Sequence, residues 1–256
     1  MGHRAVALAL ALSACNRAND PAWSITNVRH PGEDTIAGEP LAVPRFTPAI
    51  SDGKLDDWSK AAVLGPLVEP GGGAEARAIP TFALAGWDDT RLHLAFVVRD
   101  AEPVSTFART DVDPHVWGAS SGVEMMLQPG DPGDNKDYYE LQVDVNGATF
   151  DSHFDDYNSP ITGQGPARTF GHQDWSSRAE RAIHVEKGRF YAIEIAIPWS
   201  AFAPARVAIP PKPGDVWRMN LYSFRDGQRR ALAWSPLRGQ GNFHKSARFG
   251  RVRFTP

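Results

Sequence analysis

Three stretches of the chain alternate large apolar side chains with polar or small ones at a period of two. Leu92, Leu94, Phe96 and Val98 alternate with His93, Ala95 and Val97. Tyr139, Leu141, Val143 and Val145 alternate with Glu140, Gln142, Asp144 and Asn146. Tyr191, Ile193, Ile195 and Ile197 alternate with Ala192, Glu194 and Ala196. Successive side chains of a strand point to opposite faces, so each stretch predicts a strand with one face in a core. Residues 81–87, 123–127, 178–186, 216–224 and 248–254 are further strand candidates. Asp88, Asp89, Thr90 and Arg91 link two of these runs and predict a tight hairpin. Pro198, Trp199, Ser200, Ala201 and Phe202 read as one helical turn entered through proline. No segment has the apolar periodicity of a long helix. Short strands at this spacing predict an all-β fold, an antiparallel β-sandwich of jelly-roll type. No linker after residue 50 is long enough to divide a second domain.

Composition agrees with that pattern. The 256 residues include 23 Gly and 21 Pro, which interrupt helices, and 8 Trp, 5 Tyr and 13 Phe, which suit strands. A formal net charge of -3 supplies no positive field to collect phosphates, which excludes a generally basic nucleic-acid binder. The charge is unevenly distributed. Residues 111–157 hold eleven Asp or Glu against one Lys, and residues 218–253 hold eight Arg and one Lys against one Asp. These are either complementary surfaces of neighbouring strands or a basic patch for acidic glycans or anionic headgroups.

The amino terminus carries a different signal. Arg4 precedes the apolar run 5–12, and Ser13, Ala14 and Cys15 close it. The run is too short to span a bilayer, which needs about 20 apolar residues, and reads as a secretory segment. It resembles the lipobox of bacterial lipoproteins, in which the cysteine is lipidated. The expectation is an exported protein held to a bacterial membrane through Cys15, in the periplasm or at the cell surface. Residues 1–14 would be the signal peptide and 15–44, punctuated by Pro21, Pro31, Pro40 and Pro44, a tether or an irregular first strand. Cys15 is also the only cysteine, so no internal disulfide can form.

Several clusters suggest chemistry. Gly118, Ala119, Ser120, Ser121 and Gly122 match the G-x-S-x-G nucleophile elbow, but residues 123–127 read as a strand where that motif needs a helix. Glu124, Glu140, Asp144 and Glu194 could supply the acid pair of a glycoside hydrolase or simply face solvent. Asp131, Asp134 and Asp137 lie in an oxygen-rich turn that reads as a calcium site or a solvated hairpin loop. Trp117 and Phe243 sit in polar loops, where a ring can stack on a sugar or cap one end of the sandwich.

The order of the segments adds a family resemblance. Ser51, Asp52, Gly53, Leu55, Asp56 and Trp58 open the series. Gly86, Trp87, Asp88, Asp89 and Leu92 follow, then Val116 and Trp117 with Val123 and Glu124, then Tyr138, Tyr139, Glu140 and Leu141. Ile193, Glu194, Ile195, Pro198 and Trp199 precede Trp217, Arg218, Met219 and Asn220, with Trp234, Ser235, Pro236, Phe249 and Gly250 last. Over residues 45–256 this series resembles the family 9 carbohydrate-binding modules and their DOMON-like relatives. The resemblance implies a β-sandwich, often calcium-stabilised, that binds oligo- or polysaccharide between two aromatic rings and is often attached to a glycoside hydrolase. It implies Trp117 as one ring, with Phe243 where the family has a second tryptophan. It further implies Glu124, Gln142, Asn220 and Tyr222 as polar contacts, with Asn242 near a further one. The expected function is non-catalytic glycan binding in a carbohydrate catabolic setting, beside a possible hydrolase partner. DOMON-like relatives also suggest haem or redox-cofactor binding, for which Met125, Met126, His93 and Lys245 are nominal ligands.

Overall fold

The computed structural model of the protein describes residues 36–50, 52–71, 79–163, 169–203, 205–225, 231–238 and 242–256. Cys15 and the segment around it lie outside the described residues. The strands are β1 (Leu41–Val43), β2 (Ala62–Leu64), β3 (Thr81–Trp87), β4 (Arg91–Val98), β5 (Gly122–Gln128) and β6 (Lys136–Asp144). They continue with β7 (Thr149–Asp156), β8 (Glu180–Glu186), β9 (Phe190–Pro198), β10 (Val216–Phe224), β11 (Leu232–Ala233) and β12 (Gly250–Phe254). They form two sheets. The larger has the order β1-β12-β10-β5-β6-β7, with β11 also paired to β10, and the smaller has the order β2-β3-β4-β9-β8. All named pairs are antiparallel except β1 with β12. The expected β-sandwich is the fold.

The alternation seen in sequence sets which face of each strand enters the core. Leu94 and Phe96 of β4, Ile193 and Ile195 of β9, Met125 and Leu127 of β5, Leu141 and Val143 of β6, and Met219 and Leu221 of β10 all meet between the sheets. Trp87, Trp199, Trp217 and Phe254 close one part of this core with edge-to-face contacts. The hairpin at 88–90 forms as expected. The Asp88 carboxylate accepts from the Thr90 and Arg91 backbone N–H groups at 2.7 and 3.0 Å. After Pro198, Trp199–Phe202 make a single 3-10 turn.

Three features refine the sequence reading. β7 was not expected, because Asp151, His153, Asp155 and Asp156 break its hydrophobic pattern; Phe150 and Phe154 nevertheless pack on the outer face of the large sheet. The sandwich begins before residue 45, since β1 lies within the expected tether. Leu41, Ala42 and Val43 pair with Val252, Arg253 and Phe254, and Val43 is fully buried. Flanking Pro40 and Pro44 fit an edge strand, where a missing donor is tolerated. Finally, acidic and basic side chains pair with one another, the first of the two readings of the charge distribution. Arg218 and Arg251 meet Asp131, Arg206 meets Asp134 and Asp137, and Arg225 meets Asp100.

Candidate functional site

On β5, Val123, Met125 and Leu127 point into the core, which leaves Glu124 and Met126 on the outer face of the large sheet. Glu124 is opposite Gln142 of β6 on one side and Tyr222 of β10 on the other. Glu140, two residues before Gln142, shares that face and is opposite Met126. Over these polar side chains lies a cavity of about 450 Å³. Glu124, Glu140 and Gln142 make its floor, and His115, Trp117, Phe243, His244, Asn242, Pro70 and Ala231 make its walls.

The walls are fixed by local contacts. Val116 is buried against Phe224 and Ala231, which anchors the loop bearing Trp117. The backbone N–H of Trp117 donates to Gln142 Oε1 at 3.0 Å, and its carbonyl accepts from His115 Nδ1 at 2.8 Å. Phe243 lies flat on Tyr222, with ring centroids 4.3 Å apart and planes within 3°. The Tyr222 hydroxyl accepts from Asn220 Nδ2 at 2.8 Å and donates to the Phe243 carbonyl at 3.3 Å. Trp117 and Phe243 touch edge to face, 6.2 Å between centroids at 75°.

The floor is electrostatically unusual. Glu124 is 2% exposed and makes no hydrogen bond among the described residues. Burial, and then the neighbouring Glu140, push its carboxyl well above the ordinary range. Burial pushes Glu140 up to about 7 despite a 2.6 Å hydrogen bond donated by Gln142 Nε2. Burial also pushes His244 down to about 4, so its ring is neutral near pH 7; its Nε2 is 3.8 Å from Glu140, and its Nδ1 is 2.9 Å from the Tyr138 hydroxyl. The buried indole N–H of Trp117 has no hydrogen-bond partner among the described residues. The cavity thus borders a carboxyl with no hydrogen bond to the described residues and a buried indole N–H left unpaired among them.

No protein-family model matches the chain, and no curated protein sequence does. Solved structures do match. A candidate carbohydrate-binding protein from Bacteroides uniformis has a TM-score of 0.63 at 20% identity, over 85% of this chain and 100% of its own. A family 9 carbohydrate-binding module from Caldicellulosiruptor kristjanssonii, in complex with cellotriose, gives a TM-score of 0.57 at 16% identity, over 85% of this chain and 94% of its own. The same module in complex with glucose gives 0.58 at 16%, over 85% and 96%. The chain has the fold of the family 9 carbohydrate-binding modules.

Measured against what that family implies, the residues divide into two groups. Trp117, Glu124, Gln142, Asn242 and Phe243 converge on one pocket. Asn220 and Tyr222 do not line it. Asn220 is fully buried and satisfied, donating to Tyr222 and the Ser235 carbonyl and accepting the Leu221 and Ser235 N–H groups. These two residues support Phe243 from beneath. The sandwiching clamp also needs correction, because Trp117 and Phe243 touch each other and one face of Phe243 is covered by Tyr222. The two rings present edges and their remaining faces to the cavity rather than a parallel slot.

The expected calcium turn is held by arginines instead. Asp131 is 2.7 Å from both Arg218 and Arg251, while Arg206 pairs with Asp134 at 2.7 Å and with Asp137. Arg206 holds the Asp134 carboxyl down at about 2. Each of the three aspartates is engaged by guanidinium, and no group of three potential metal ligands converges among the described residues. The G-x-S-x-G match is a loop entering β5, with Ser120 donating to the Val116 carbonyl and Ser121 to Asp100. Met125 faces the core and Met126 the outer face, while His93 binds Asp88 on the other sheet, so these three nominal haem ligands do not converge. His115 and His244 were not anticipated in the site, nor was Glu140 as a floor residue. Glu140 was within reach of the two-residue period from Gln142. The histidines depend on how loops fold over the sheet.

Proposed function

We infer that the pocket binds carbohydrate and does not cut it. One observation carries the reading: Trp117 and Phe243 border a cavity whose floor holds buried, incompletely bonded polar groups. Apolar ring surface covers the C–H patches of a pyranose, while Glu124, Gln142, Asn242 and the Trp117 indole N–H meet its hydroxyls. The bound cellotriose and glucose of the Caldicellulosiruptor module support a saccharide as the ligand class. Glu124 and Glu140 stand on adjacent strands of a single sheet face. They would approach a sugar from one side, whereas glycosidic cleavage needs two carboxyl groups flanking the bond.

The sequence around Cys15 supports export and lipid anchoring, which would hold this module at a bacterial membrane as a glycan receptor in polysaccharide catabolism, with a separate hydrolase as partner. Radiolabelled palmitate incorporation that disappears in Cys15→Ala is the expected outcome for the anchor.

Calorimetric titration with oligosaccharides tests the binding reading. Saturable binding is expected, weakened at least tenfold in Trp117→Ala, equivalent to about 1.4 kcal/mol. An unchanged affinity in that variant, with the fold intact by circular dichroism, would remove Trp117 from the site.

A further inference from the structure

The charge balance of the floor narrows the ligand beyond carbohydrate in general. We propose that the subsite over Glu124 and Glu140 takes a sugar bearing a free primary amine, a de-N-acetylated hexosamine unit, with the ammonium group held between the two carboxylates. This rests on the carbohydrate reading of the same pocket.

Two acidic side chains occupy diagonal positions on neighbouring strands of one sheet face, both nearly inaccessible to solvent and both lining the cavity. No lysine or arginine lines the cavity among the described residues. Elsewhere in the protein buried carboxylates do have partners: Asp100 has Arg225 at 2.9 Å, and Glu194 accepts two N–H donors. Among the described residues Glu124 has none, and the one hydrogen bond they give Glu140 comes from a neutral amide. The titratable groups facing the pair are His244, His115, and the hydroxyls of Tyr138 on β6, Tyr222 on β10 and Tyr157. None of these tyrosines carries positive charge, and His244 is held neutral by burial.

A neutral sugar would leave the acid pair short of a countercharge, and the pair would retain protons instead. Burial and mutual repulsion favour that protonated state in the empty pocket. An ammonium group reverses the balance. It is a compact point charge with three donors, suited to two carboxylates on one floor. The aromatic walls at Trp117 and Phe243 add ring surface that tolerates a cation. A bare metal ion fits less well, because Glu124, Glu140 and His244 do not converge as a metal-binding group.

The test titrates the purified full-length protein at pH 6.5 with three disaccharides of like linkage: β-1,4-linked diglucosamine, its N,N′-diacetyl form, and cellobiose. Expected is at least tenfold tighter binding of diglucosamine than of the other two. Its binding should also release protons, read as a dependence of the heat on the ionisation enthalpy of the buffer. Glu124→Gln and Glu140→Gln, which keep side-chain shape, should each bring its affinity down towards that of cellobiose. Equal or tighter binding of cellobiose or the diacetyl form would overturn the amine preference and leave the carbohydrate reading standing. Binding of none of the three would overturn both.

Discussion

Each sheet of the sandwich buries a glutamate on its outer face, beside a tryptophan, and the two sites have opposite designs. On the small sheet, Glu194 lies beneath the segment that contains Gly53 and Trp58. Its carboxylate accepts the Gly53 N–H at 2.9 Å and the Trp58 indole N–H at 3.0 Å. Leu55, Trp58 and Phe190 pack over that face and close it. Gly53 has φ of 73°, and a Cβ there would stand 2.4 Å from the His184 nitrogen, so only glycine lets the backbone come close enough to donate. On the large sheet, Glu124 receives no hydrogen bond and the Trp117 indole N–H finds no acceptor among the described residues. The first arrangement satisfies itself and seals the sheet. The second leaves both groups beside a cavity without a protein partner among the described residues.

The largest expected effect comes from breaking the sealed site. Glu194→Ala leaves two buried donors unpaired and should lower the unfolding free energy by about 3 kcal/mol, read from urea denaturation. Glu124→Gln in the open site should cost little stability, because no hydrogen bond is lost among the described residues and a neutral amide replaces a carboxyl whose ionisation burial already disfavours. Equal losses at the two positions would erase the distinction between the sites.

Next in size is the support beneath Phe243. Asn220→Ala deletes hydrogen bonds to Tyr222 and to the Ser235 backbone, at about 2 kcal/mol of stability. It should also weaken sugar binding, although Asn220 does not line the pocket. An unaltered affinity would show that Phe243 holds its place without this layer.

A smaller effect should appear in the pH dependence of stability. Burial raises the folded-state carboxyl of Glu140 to about 7 from an ordinary 4.5. Between those values the folded chain keeps a proton that the unfolded chain has lost, so this group contributes stability that falls as pH rises through the window. Glu140→Gln removes the dependence. The variant should gain on the parent between pH 4 and pH 8 by on the order of 1–3 kcal/mol, measured by thermal or urea unfolding. His244, held at about 4 by burial, works in the opposite direction, but it is present in both proteins and drops out of the difference. A constant difference across pH would mean that Glu140 titrates normally.

The smallest effect should come from an exposed pair on neither face. Arg253 and Glu39 are 3.1 Å apart at the sheet edge, and Arg253→Ala should change stability by about 0.5 kcal/mol or less, a calibration for the other values.

Much of the fold was legible because one face of most strands is uniformly apolar. Residues 81–87 and 216–224 form strands over the expected spans, since both are buried along nearly their whole length. β7 was hidden because its Asp and His residues find partners only in three dimensions: Asp151 accepts the Ser177 N–H at 2.7 Å, and the His153 ring stacks on Tyr139. The site was legible to the same degree. Glu124 and Gln142 follow from strand period and family resemblance, as do Trp117 and Phe243 from their polar loops. Asn220 and Tyr222 share the strand face but lie under Phe243, a layering that no linear pattern records.

The sequence by itself determined the class of fold, because alternation with a period of two commits each strand to one buried face. It also determined which side chains could reach the outer face of the large sheet. Only the tertiary structure decided which of them remain unpaired. Gln142 is engaged by Trp117 and Glu140, the three turn aspartates are taken by arginines far along the chain, and Asn220 is satisfied by Ser235. The physical reason is that hydrogen bonds and ion pairs form through space, between residues far apart in the chain. The groups left unbonded after folding, here Glu124 and the Trp117 indole, exist only as a remainder of those pairings.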